Sequence, residues 1–267
     1  MRQRVCISRS RPSHQIKQIE DELGIQLFDR IGRVVKLTNA GELFQTYAKR
    51  ALQEVDAGMD ALNELENLKH GRVTIGVLSS FGTFQLPPIL ADFNKAYPGI
   101  KITVLRLRSG EIEAGLLNGE INFGVAYAPS GTDQVNVEPL FSVPVAMVVG
   151  DRHPLVGSAG IALSELTEHE LIMLSNEYNS RKMMDGILLA NGIVPRIVME
   201  MNAIEPILAT VRNSTLATIL SANLVDEMPG LHPIPLTPTV THSVGLFTRR
   251  NSHLSAAARA LVETIRQ

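Results

Sequence analysis

The sequence predicts an α/β protein in three parts: a small, mainly helical head, a long helix, and a two-lobed α/β body with a cleft between its lobes. Three observations predict it. Apolar residues recur at three- and four-residue steps near the N-terminus and again, without an internal proline, from about Asn39 to Leu68. After Lys69-His70-Gly71 the period changes, and short β-branched runs alternate with helical stretches. That alternation occurs twice, in two sets separated by the extended run Pro139–Val149.

The head is read from Ile16, Ile19, Leu23 and Leu27, which share one helical face, with Gly24 ending the helix. Ser13, His14, Gln15 and Lys17 fall near the start of that helix. Short polar and basic side chains there can meet base edges and phosphates in a major groove. Phe28-Asp29-Arg30 then leads through a turn at Ile31–Arg33 into Val34–Leu37. Arg30, Arg33 and Lys36 thus sit on what resembles a two-stranded wing within reach of phosphates. The run Ser13–Thr46 looks like the back half of a winged helix-turn-helix. Thr38 is placed as the N-cap of the next helix, three residues before Gly41. In that helix Leu43, Tyr47, Ala51, Val55, Leu62, Leu65 and Leu68 make an apolar stripe too long to be covered by a small head, which suits pairing with a second copy.

In the body, strands are expected at 72–78, 100–107, 121–126, 170–174, 197–201, 216–220, 231–236 and 242–248. Helices are expected at 87–97, 110–118, 181–191, 204–212 and 255–265. The pattern suggests a mostly parallel sheet. The chain crosses between lobes near Ser142–Val145 and Val240–Val244, and its last strand and helix return to the first lobe. Clefts at the C-terminal ends of such strands bind small ligands. Ser79, Ser80 and Thr83 follow the first strand, Tyr127 and Pro129 the third. Ser175, Asn176 and Arg181 follow a strand of the second lobe, as does Asn202.

Composition narrows the function classes. The chain has 267 residues, is 45% hydrophobic and holds a single cysteine, Cys6. It therefore has no internal disulfide, and a reducing cytoplasm fits. No apolar run reaches the length of a membrane span, and no secretory signal precedes the head. The formal net charge of -2 conceals +5 on residues 1–50 and -7 on the remainder, as expected of a protein that grips a polyanion with one end. No H-E-x-x-H, G-x-S-x-G or phosphate-loop motif is present, and the seven histidines show no metal-ligand spacing, scattered as they are among turns and helix ends. No catalytic residue, metal or cofactor is expected, and binding is the simpler use of the cleft.

Taken together, SHQIKQIEDELGIQLFDR, LTNAGE, the long helix and GRVTIGV resemble the LysR-type transcriptional regulators. LPPILADFNKAYPGI, INFGVAYAP, VVGDRHPL, LIMLSNEYNSR and FTRRNSHLSAAARA further resemble the cyanate-operon regulator group. The resemblance implies a partial winged helix-turn-helix DNA-binding domain at residues 1–40, a linker and dimerisation helix at 41–68, and an effector-binding domain at 72–267. The last resembles the periplasmic binding proteins, with lobe I about 72–143 and 245–267 and lobe II about 144–244. It implies a cytoplasmic regulator that binds promoter DNA, forms homodimers through the linker helix and tetramers from these, and answers a small co-inducer such as cyanate. The hydroxyls of Ser79, Ser80, Thr83 and Ser109 are the implied co-inducer contacts, with Tyr127, Asn176 and Asn202 beside them. Ser8–Pro12 departs from the family phrase that precedes Ser13, so the head is expected to lack its supporting helix, through a shifted frame or misplaced start, and to bind operator DNA weakly. Rival expectations are a head-deficient effector-binding protein that no longer reads DNA, a two-lobed solute-binding protein, and a small-molecule enzyme on the same body.

Overall fold

The computed structural model describes residues 12–31, 34–64, 71–226 and 228–266. The chain divides into two compact units, Met1–Glu54 and Val55–Gln267.

In the first unit α1 spans Pro12–Leu23, β1 Phe28–Ile31 and β2 Val34–Leu37, and α2 runs Asn39–Glu64 into the second unit. Gly24 adopts φ 67° and stops α1, a conformation glycine takes without strain. The turn after it is held by the Glu20 carboxylate, which accepts the N–H groups of Leu27 (2.7 Å) and Phe28 (3.0 Å). β1 and β2 pair antiparallel from Phe28↔Leu37 to Ile31↔Val34, the wing expected from sequence. Thr38 caps α2: its Oγ1 accepts the Gly41 N–H at 2.9 Å and donates to the Gln26 carbonyl at 2.8 Å. Gly41 is required there, because a Cβ would fall 2.0 Å from the Leu27 carbonyl oxygen.

In the body, β3 is Gly71–Val77, α3 Leu86–Ala96, β4 Ile100–Arg106, α4 Ser109–Leu117 and β5 Phe123–Tyr127. A π-helical turn, Phe81–Gln85, stands ahead of α3 and was not expected. Next come β6 at Val135–Gly150, β7 at Ile161–Ala162, β8 at Glu170–Leu174, α5 at Asn179–Ala190, β9 at Arg196–Met201 and α6 at Ile204–Arg212. The chain closes with β10 at Ala217–Ser221, β11 at Leu231–Thr237, β12 at Thr241–Arg249 and α7 at Ala256–Arg266. The first half of β6 pairs with β12, completing a sheet ordered β4-β3-β5-β12-β6. Its second half pairs with β10 and β11 in a sheet that continues β10-β8-β9.

The expectation of a mostly parallel sheet needs correction. β3, β4 and β5 are parallel, as are β8, β9 and β10, but β12 runs antiparallel to both β5 and β6, and β10 and β11 run antiparallel to β6. Strands that carry the chain between lobes are not joined by crossover helices, so nothing imposes a parallel direction on them. No helix among the described residues is long and apolar enough to cross a membrane.

Lobe I has one apolar core, including Ile75, Phe93, Phe123, Phe247 and Leu261. Lobe II has two, one around Met147, Leu171 and Met184 and the other around Val148, Ile172 and Ile207. This split follows from strands whose neighbouring residues point to opposite faces and are buried on both. In lobe I, Gly76 and Gly124 are register partners on β3 and β5. Their missing side chains admit Ile112 of α4, since a Cβ on Gly124 would lie 2.2 Å from Ile112 Cγ2. Gly124→Ala is therefore expected to destabilise the body by about 1–3 kcal/mol through overpacking. Adding Ile112→Ala should recover part of that loss in urea melts. Simple additivity of the two changes would show that they do not share this space.

Candidate ligand cleft

The C-terminal ends of β3 and β5, the start of α4, the ends of β8 and β10, the start of α5 and the strand pair β6/β12 converge on one inter-lobe cavity of about 40 Å³. A single water centre needs about 10–15 Å³, so the cavity suits a ligand of a few heavy atoms.

Its polar groups are mostly hydroxyls. Ser79 and Ser80 line it directly after β3, and Ser80 Oγ lies 3.4 Å from the Tyr127 hydroxyl at the end of β5. Ser109 opens α4 and is 2% exposed, with its Oγ unpartnered among the described residues. His242 on β12 lines the same cavity, 3% exposed, its ring set edge-on to Tyr127 at 4.9 Å between centroids. Neither imidazole nitrogen has a hydrogen-bond partner among the described residues. Burial depresses its pKa to about 4, so the ring is neutral near pH 7.

Two arginines reach the cavity, and both are committed. Arg108 pairs with Glu111 at 2.6 Å on its own lobe and with Glu177 across the cleft. The Arg108 side chain, and then its backbone N–H, hold the Glu111 carboxyl below its usual range. Arg181, nearly buried, pairs with Asp185 at 2.8 Å and Glu200 at 2.6 Å and donates to the Leu174 carbonyl. A second inter-lobe pair, Arg106–Glu205 at 2.8 Å, joins the end of β4 to the first turn of α6. Each of the half-exposed pairs contributes at most about 1 kcal/mol, so they orient the lobes more than they stabilise the fold. The rest of the lining combines Tyr178, Asn179, Ser180 and Ser221 with an aliphatic set in which Leu78, Leu107, Met173, Met184, Ile219 and Leu224 are prominent.

Of the residues singled out from sequence, the structure brings Ser79, Ser80, Ser109 and Tyr127 together, with Arg181. Three others need correction. Thr83 lies in the π-helical turn, where its hydroxyl stands 3.5 Å from an Arg106 nitrogen instead of lining the cavity. Asn176 is exposed in the turn after β8, and that turn places Tyr178, Asn179 and Ser180 on the cleft instead. Asn202 is exposed after β9, and its carbonyl accepts the Tyr178 hydroxyl. Position after a strand selects the loop; the turn's geometry selects the residue. Arg108, Ser221 and His242 were missed. His242 had a signal, since it alternates with Val244 and Leu246 along one strand face, yet it was read as one of the histidines of turns and helix ends.

On the head, His14, Gln15 and Lys17 are exposed on α1 and Lys36 on β2. Ser13 lies on α1 and Arg30 on β1, and Arg33 falls outside the described residues. Ile16, Ile19, Leu27, Phe28, Leu37 and Phe44 line an apolar groove, with Ile19 and Leu23 substantially exposed. Along α2, Leu43, Tyr47, Leu52 and Val55 are likewise exposed.

Comparison with known proteins follows this division. Residues 66–267 match the LysR substrate binding domain, and residues 3–42 match the bacterial regulatory helix-turn-helix protein, lysR family. The second match begins upstream of Ser13, the first residue of the resemblance in sequence. The chain is 29% identical over 201 residues to the HTH-type transcriptional regulator AlsR of Bacillus subtilis, covering 74% of this chain and 67% of that protein. It is 26% identical over 275 residues to a probable RuBisCO transcriptional regulator of Trichormus variabilis, covering 97% and 80%. A full-length OxyR variant from Pseudomonas aeruginosa shares the fold, with a TM-score of 0.76 at 22% identity, over 95% of this chain and 84% of that one. The first two of these proteins are named as transcriptional regulators.

Proposed function

Because this chain belongs to the LysR family of bacterial transcriptional regulators, we propose that it is a cytoplasmic, promoter-binding regulator switched by a small anionic co-inducer held between its lobes. The observation that carries the reading is the cavity floor. Ser79, Ser80, Ser109 and Tyr127 place hydroxyl donors from three separate elements around one space, and the Ser109 hydroxyl is buried without a partner among the described residues. A buried hydroxyl left unpaired is unfavourable by about 1–3 kcal/mol, which a ligand oxygen would offset. Cyanate is one candidate of this kind, although the largely aliphatic lining offers a three-atom anion little to bind.

In this reading α1 enters the major groove with His14, Gln15 and Lys17, and Lys36 of the wing reaches a phosphate. The exposed apolar stripe of α2 pairs two copies, and two dimers form a tetramer. Binding through such phosphate contacts is expected to weaken as salt rises.

One experiment tests both ends of the reading. Transcription from the promoter beside the gene is measured with the unaltered chain, with Ser80→Trp and with Lys17→Ala, across a panel of carboxylates, phosphates and cyanate. The expected result is a response to one small anion that Ser80→Trp abolishes by filling the cavity, and promoter occupancy that Lys17→Ala lowers. A response that survives the filled cavity overturns the cleft assignment. Occupancy indifferent to Lys17→Ala overturns the DNA face.

A further inference from the structure

We propose that His242 is a ligand-contacting and specificity-determining residue of the cleft, and that with Ser109 and Tyr127 it receives the head of a short-chain monocarboxylic acid. The inference rests on the cleft reading above and names the chemical class of its ligand.

The argument begins with what is unsatisfied. Three polar groups at the cavity are nine-tenths buried or more: Ser109 at 2% exposed, His242 at 3% and Tyr127 at 8%. Of these, Ser109 Oγ and both His242 nitrogens are without a hydrogen-bond partner among the described residues. A buried imidazole with neither nitrogen engaged is unfavourable in an empty apolar setting, and it could be exchanged for an aliphatic side chain at little loss. Its placement gives it a use. β12 pairs His242 with Val143 on β6, so the ring sits where the two inter-lobe strands run side by side. It faces the cavity from the hinge, and Ser109 faces it from the first turn of α4, a helix of nine residues. Helix N-termini favour negative charge. The neutral ring offers one N–H donor, and the serine and tyrosine hydroxyls offer two more, which is the donor set of a single carboxylate.

Charge and size narrow the class. Arg108 and Arg181, the cations of the described lining, each already hold two carboxylates, so the cavity has no spare full positive charge for a dianion. That disfavours phosphates and dicarboxylates. A volume of about 40 Å³ limits the ligand to a few heavy atoms. Leu78 and Leu107 from one lobe and Met173, Met184 and Ile219 from the other give the space an apolar wall that accepts an alkyl body, beside the polar Asn179, Ser180 and Ser221. Propionate and butyrate fit all three conditions.

The test is calorimetric titration of the full chain with propionate, butyrate, 1-butanol, octanoate, cyanate and inorganic phosphate, repeated on His242→Phe and His242→Asn. Propionate or butyrate should bind best, butanol and phosphate should bind at least about tenfold more weakly, and His242→Phe should lower the carboxylate affinity about tenfold, the equivalent of one buried hydrogen bond. In the unaltered protein the imidazole ¹⁵N resonances of His242 should shift on adding butyrate, a readout that needs no variant to fold. Butyrate binding unchanged in a folded His242→Phe chain, with unmoved ¹⁵N signals, overturns the role of His242 and leaves the cleft reading standing. Preference for phosphate or cyanate, or no binding of any acid, overturns the ligand class. The cleft reading falls only if Ser80→Trp leaves the promoter response intact.

Discussion

Alanine in place of Phe247 is expected to lower the unfolding free energy of the body by about 3–5 kcal/mol. Phe247 is fully buried on β12, between its register partners Gly124 on β5 and Val137 on β6, and belongs to the lobe I core. Gly124 has no side chain to move into the vacated space, and Ile112 already occupies the hollow above it, so collapse around the cavity is limited. The consequence reaches the cleft, because β12 also carries His242 and forms one of the two strands between lobes. Urea melts of the folded body followed by far-UV circular dichroism measure the loss. Leu189→Ala, 81% exposed on α5, is the matched control and should change stability by no more than about 0.5 kcal/mol. A loss below about 1 kcal/mol at Phe247 would mean that the ring is not packed in the lobe I core.

Much of this architecture is legible in the sequence. The body's helices and strands follow the expected order, because apolar runs bounded by glycine, proline and asparagine carry local signals for both element and end. The wing and the Thr38 cap are legible for the same reason. The direction of β12 is not legible in the sequence: this strand comes from the far end of the chain and inserts antiparallel between β5 and β6, which run the same way, and no local signal marks that insertion. The sequence signals β6 only from Pro139, since Val135–Glu138 alternates with polar residues and only the second half is a continuous apolar run.

The site is less legible, because it is made by tertiary convergence. Ser79, Ser80, Ser109 and Tyr127 could be named since each ends a strand or begins a helix on the binding side of a sheet. Arg108 could not be weighed as a ligand group from sequence, as its commitment to Glu111 and Glu177 depends on a partner 69 residues away. His242 shows the opposite failure. Its period-two spacing with Val244 was local and readable, but a histidine is read as polar, and that habit outweighed the pattern.

Acid should expose the same residue. Between pH 7 and pH 4.5 the unaltered protein is expected to lose about 2–3 kcal/mol more stability than His242→Phe. Burial depresses the folded-state pKa of His242 to about 4, against an ordinary value of 6.5 in the unfolded chain. Above 6.5 neither state carries the proton, and this contribution to stability is present in full. As pH falls from 6.5 toward 4 the unfolded chain takes up the proton and the folded chain does not, so stability drains through that window and levels off below it. Phenylalanine keeps a ring edge-on to Tyr127 and removes the titration, together with two unpartnered buried nitrogens, so at pH 7 the variant should be at least as stable as the original. His153 is depressed in the same direction, by burial and then by His169, but it is common to both proteins and cancels in the difference. Urea melts at the two pH values provide the measurement. Equal acid sensitivity in the two proteins would place the His242 ring in water, and with it would go the buried donor that the carboxylate site requires. A variant that is as stable as its parent at pH 7 yet deaf to butyrate would identify a residue retained for binding at the expense of stability, which is the pattern expected where a polar side chain is buried for a ligand instead of for the fold.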